Sequence, residues 1–95
     1  MKKVENKYCK QIFVCTNTKK DGTGCGPKGG DLLREKLKEK LHSDLNLVGK
    51  ARINKSGCMD FCTNGIAVQI QPENKLLLEC NVENVDEIWN EFVSI

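Results

Sequence analysis

Two pairs of cysteines constrain this chain more than any other feature. Cys58 and Cys62 stand four positions apart in SGCMDFCTNGIAV, residues 56–68, with Gly57 and Gly65 near either end. Cys15 and Cys25 stand ten apart in VCTNTKKDGTGCGPKGG, residues 14–30, a stretch rich in Gly, Lys and Thr. Glycine admits positive φ angles and lets a backbone wrap closely around something. Two cysteine pairs, one in each of two glycine-marked loops, have the form of four thiolate ligands for one inorganic centre. Whatever the fold, it must bring the two loops together.

Six cysteines among 95 residues would mean three disulfides in a secreted chain, but nothing in the sequence points to secretion. Met1-Lys2-Lys3 is followed by no apolar stretch, and IFVC is too short to act as a leader or to span a membrane. A cytoplasmic protein is therefore expected, and in a reducing compartment clustered cysteines serve as metal ligands or redox groups. With 39% hydrophobic and 29% charged residues, the chain is expected to fold as a single domain over residues 1–95. The net charge of +2 is spread along it and only five residues are aromatic, which argues against nucleic-acid binding.

The order of elements follows from periodicity. QIFVC, residues 11–15, is a short apolar run that predicts a buried strand. Residues 16–30 hold five glycines and a proline without periodicity, and predict a long functional loop. Asp31 is expected to cap a helix over DLLREKLKEKLHS, residues 31–43, with Leu33, Leu37 and Leu41 as its buried stripe. LVGKARINK, residues 47–55, alternates and predicts a second strand, and residues 56–65 form the second loop. Residues 66–71 and 75–80 read as a hairpin around Pro72-Glu73-Asn74. Asn81 or Asn84, the latter with Glu87, is expected to cap a last helix that buries Val85, Ile88, Trp89 and Phe92.

The order is thus β-α-β-β-β-α. A strand-helix-strand crossover makes the first two strands parallel neighbours, and the hairpin makes the last two antiparallel. If the third strand takes the free side of the first, the four-stranded mixed sheet has the order 2-1-3-4, with both helices available to cover it. That is the thioredoxin-like α/β arrangement. It sends Cys15, Cys25, Cys58 and Cys62 to one end of the domain. Cys80 falls at that end and Cys9 at the other, too far apart for a disulfide.

Dithiol exchange wants Cys-x-x-Cys at a helix start, and no two cysteines here are three apart. A Rieske centre needs two histidines, and His42 is alone, among charges near a helix end. Structural zinc favours tight knuckles in both pairs; Cys58 and Cys62 suit it, whereas Cys15 and Cys25 enclose nine residues. Lys19, Lys20, Lys28 and Lys55 beside the loops suggest a basic rim facing an acidic partner.

Cys15-x9-Cys25, Gly29-Gly30 before a helix, and Ser-Gly-Cys58-x3-Cys62 leading into a hairpin and a final helix resemble the thioredoxin-like 2Fe-2S ferredoxins. The resemblance runs from about Gln11 to Val93. Related subunits of respiratory complex I and of NAD-linked hydrogenases usually have four residues within the first pair and an extra helical N-terminal region. The family commonly has Gly-Pro where this chain has Gly65-Ile66, so the constraint of a proline on the backbone there is absent.

The resemblance implies that Cys15, Cys25, Cys58 and Cys62 ligate a 2Fe-2S cluster. It also implies a one-electron carrier of low potential rather than an enzyme, serving redox partner proteins and forming a homodimer. The alternative is a zinc-binding or cluster-less thioredoxin-like interaction module.

Overall fold

The computed structural model describes residues 1–18, 22, 24–57 and 65–93. The elements are β1 (Lys10–Cys15), α1 (Gly30–Ser43), β2 (Ala51–Ser56), β3 (Ile66–Gln71), β4 (Lys75–Cys80), a 3-10 turn (Val82–Asn84) and α2 (Val85–Val93). The sheet has the expected order β2-β1-β3-β4. β1 runs parallel to β2 and antiparallel to β3, and β4 returns antiparallel to β3.

The register explains the core. Ile12 stands between Ile53 on one side and Ile70 on the other, and alternation then turns Val14, Ala51, Ile66 and Val68 to the same face. Leu33, Leu37 and Leu41 of α1 and Ile88 and Phe92 of α2 complete the cluster on that face. The two helices lie side by side, so the sheet buries one face against them. Trp89 and Val85 are only partly buried, and the Trp89 ring meets Phe92 at 5.5 Å between centroids. No described helix is long and apolar enough to cross a membrane.

Two local expectations are corrected. Asp31 does not cap α1: the cap is Gly29, at φ 105°, a left-handed backbone with no side-chain bond, and Asp31 lies in the first turn. The second strand starts at Ala51 rather than Leu47, because the Asp44 carboxylate accepts from the Asn46 and Leu47 N–H groups and Gly49 turns at φ 84°. Both candidate asparagines serve the last helix. Asn81 accepts from Glu83 N–H while Asn84 accepts from Asn81 N–H, and the Asn84 amide donates to Glu87.

The hairpin turns at Asn74, φ 59°. Farther along, Val68 faces Leu77 but Ile66 faces Cys80, so β4 spends an extra residue in a bulge, with Glu79 left-handed at φ 57°.

Candidate metal centre at the ends of β1 and β3

Cys15 ends β1 and Cys25 lies in the turn that leads into α1; both side chains are fully buried. Gly30 N–H donates to the Cys25 carbonyl at 2.8 Å, so the cysteine's backbone is tied to the helix start. A Cβ added at Gly30 would collide with the Cys15 carbonyl and stand 2.9 Å from that of Cys25. The backbones of Cys15 and Cys25 thus close on a single point that only glycine leaves empty. Gly29 makes the same use of its missing side chain: a Cβ there would come within 2.6 Å of Val82. The α1 N-terminus opening here favours negative charge.

Cys58 and Cys62 lie outside the described residues, as do Lys19 and Lys20 of the expected basic rim. Both flanks of the segment from 58 to 64 are described. On one side Thr16 N–H, next to Cys15, donates to the Ser56 carbonyl at 3.0 Å. On the other, the Cys25 thiol donates to the Gly65 carbonyl at 3.6 Å. The two cysteine loops therefore start and finish against each other. Ile66 begins β3 as a fully buried core residue. Lys55 pairs with Asp31 at 3.5 Å, which reduces the positive charge of the expected rim.

Gly57 and Gly65 differ from the expectation of positive φ. Neither adopts it; a Cβ at Gly57 would meet none of the described residues, whereas Gly65 serves close approach. An added Cβ at Gly65 would stand 2.5 Å from Glu79 Cα and 3.1 Å from the Cys80 nitrogen. The β4 bulge is what folds this backbone over Gly65, and no sequence signal announced it.

Cys80, opposite Ile66, does lie at this end, while Cys9 is exposed at the other, its N–H bonded to the Lys50 carbonyl. Burial first, and then the charge of Glu87, push the Cys80 thiol up. His42 is exposed, as expected of a solvated residue.

Among the described residues no three candidate ligands stand together, two of the four expected ones being outside that set. The two that are described fit a thiophilic centre: soft donors, dry surroundings and close backbone on both sides.

No protein-family profile matches the chain. It is 29% identical over 82 residues to a 2Fe-2S ferredoxin of Aquifex aeolicus (strain VF5), covering 83% of this chain and 74% of that one. The crystal structure of a wild-type thioredoxin-like [2Fe-2S] ferredoxin from Aquifex aeolicus superposes with a TM-score of 0.78. The identity is 28%, over 88% of this chain and 84% of that one. A second structure of such a ferredoxin from the same organism gives 0.79 at 26% identity, over 92% and 82%. Two solved variants of that ferredoxin each replace a cysteine by serine, at positions four apart in its sequence.

Proposed function

We propose that this chain, a relative in sequence and fold of the thioredoxin-like 2Fe-2S ferredoxins, carries single electrons on a 2Fe-2S centre held by Cys15, Cys25, Cys58 and Cys62. The observation that carries the reading is the meeting of the two loops. Cys15 and Cys25 are buried around Gly30, and the described flanks of the Cys58–Cys62 segment bond directly to Thr16 and Cys25. Held by these four thiolates, a bound 2Fe-2S centre would supply one-electron chemistry.

The chain's own part is to hold and tune. Four anionic ligands favour the oxidised form and hence a low potential, and backbone N–H groups brought close by glycine oppose that by donating to sulfur. No acid–base pair is needed for such a task, so the protein acts as a carrier for redox partner proteins in the cytoplasm rather than as an enzyme. A second copy would pack on the sheet face that the helices leave open, where alternation puts Phe13 beside Gln69.

The test is reconstitution with iron and sulfide, followed by iron and sulfide assays, visible absorption and EPR after dithionite reduction. The expected result is a red-brown protein with two irons per chain that gives a one-electron signal. Cys25→Ala should lose the normal spectrum, because an iron is left under-coordinated. A colourless protein that takes one zinc per chain despite ample iron would replace the carrier by the zinc-bound module.

A further inference from the structure

We infer that the groove between β4 and α2 is the docking site of the redox partner, and that it takes an extended segment of that partner rich in lysine or arginine. The inference rests on the electron-carrier reading and adds to it the face used and the chemistry of what binds there.

The groove holds about 660 Å³ and follows Leu76, Leu77 and Leu78 along one wall. Its strand is an edge: β4 pairs with β3 on one side and with no described strand on the other. The outer N–H and C=O groups of such a strand are open to one more extended chain. Leu78 is 46% exposed, an apolar side chain left to water beside that edge.

Glu79, Glu87 and Glu91 line the groove, and its lining holds no lysine or arginine. Lys75 reaches Glu91 from the flank at 3.2 Å. Among the described residues no cation pairs with Glu79 or Glu87. The whole chain carries +2. The groove is therefore a negative patch on a positive molecule, and such a patch turns the basic side of a partner toward itself.

Its location suits electron transfer. Glu79 and Cys80 at the end of the groove press against Gly65, and the Gly65 carbonyl lies 3.6 Å from the Cys25 sulfur. A segment lying over Glu79 is separated from a ligand sulfur by the backbone of one residue.

The reconstituted protein should be titrated calorimetrically at low ionic strength with a capped heptapeptide of alternating lysine and valine. Controls are its glutamate–valine counterpart and a lysine–valine peptide N-methylated along one edge. The lysine peptide should bind, the glutamate peptide should not, and N-methylation should weaken binding by removing strand pairing. The double variant E79Q/E87Q, with its fold checked by circular dichroism, should bind about five- to tenfold more weakly. That difference should shrink in about 0.5 M salt.

Equal affinity of the double variant, no binding of the lysine peptide, or preference for the glutamate peptide would each overturn the proposal. So would a dimer that dissociates, and only then binds peptide, once the basic N-terminal residues 1–7 are removed. Visible absorption of the same sample reports on the parent reading separately. A red-brown protein that ignores the peptide sinks the docking site alone, and a colourless one that binds it sinks the electron carrier.

Discussion

A methyl group on Gly30 would have to occupy space taken by the carbonyls of Cys15 and Cys25, and neither is the free end of a flexible side chain. Gly30→Ala gains at most about 1 kcal/mol of helix propensity and costs about 1–3 kcal/mol of overpacking. Because the strain falls on Cys15 and Cys25, its main expression should be a loss of at least half the iron bound on reconstitution. Gly57→Ala, which meets nothing within 4 Å among the described residues, should leave iron content and stability within about 0.5 kcal/mol of the parent. Equal iron in the two variants would remove the role given to Gly30. The two remaining cysteines should separate by reactivity. Cys9 is exposed, whereas Cys80 is buried with its thiol pushed up, so at any pH below that raised value less of it is thiolate. A short iodoacetamide pulse read by peptide mass spectrometry should label Cys9 at least about tenfold faster than Cys80, and Cys80 should catch up as the pH rises. Comparable rates at neutral pH would contradict the burial of Cys80.

At the scale of elements, α2 is only nine residues long and stays helical through what it is fastened to. Its apolar stripe meets the sheet through Ile88 and Phe92, and two lysines reach its last turn, Lys75 donating to the Glu91 carbonyl at 3.4 Å and Lys10 to that of Phe92. The Lys10 ammonium, at the start of β1, donates to the Phe92 carbonyl at 2.6 Å, pairs with Glu73 at 2.9 Å and lies 5.6 Å from the centre of the Phe92 ring. A cation at a helix C-terminus is favourably placed, and its bonds here are charge-assisted. Lys10→Met keeps the stem and removes the charge. It should cost about 1–2 kcal/mol, seen as a fall of about 4–16 °C in the thermal midpoint of a domain this size. The bond from Lys10 is also the main reason the Glu73 carboxyl titrates below its ordinary 4.5. A carboxyl lowered in the folded state stabilises above its unfolded value and stops doing so as pH falls through the folded one. The gap between parent and variant should therefore narrow below about pH 4.5, and a gap independent of pH would show that the pair contributes nothing.

The whole molecule is a slab, with Cα extents of 38 × 37 × 19 Å. The short dimension has room for a sheet and one layer of helices at about 10 Å packing distance, and for no third layer. One face of the sheet is therefore left to side chains alone. Asn54 donates to Gln11 there, and Gln69 and Gln71 both donate to Asn74, while Phe13 lies in the row between Asn54 and Gln69. If this face receives a second copy, sedimentation should show a dimer and Phe13→Glu should give monomers that keep their iron. A parent that sediments as a monomer at all concentrations tested would reserve the face for solvent.

The fold and the burial of the first cysteine pair were legible in the sequence for different reasons. Strand order followed from local patterns, since apolar runs, one amphipathic helix and a Pro-Glu-Asn turn leave a chain of this size few right-handed, unknotted arrangements. The first cysteine pair was legible from its unusual spacing and its glycines, and Asp44 and Gly49 carried the signals of the turn that shortened β2. Three things belonged to the tertiary structure. The helix cap passed from Asp31 to Gly29 because the chain must turn left-handed between Cys25 and α1, and that requirement overrides a local side-chain preference. The bulge at Glu79 put a non-glycine residue at positive φ, which propensity alone argues against. The emptiness required at Gly30 and Gly65 exists only once distant backbone has arrived beside them. Periodicity records which face of an element is apolar, so it determines elements and their order. It carries no record of how near two backbones come, and that distance decided which glycines the site depends on.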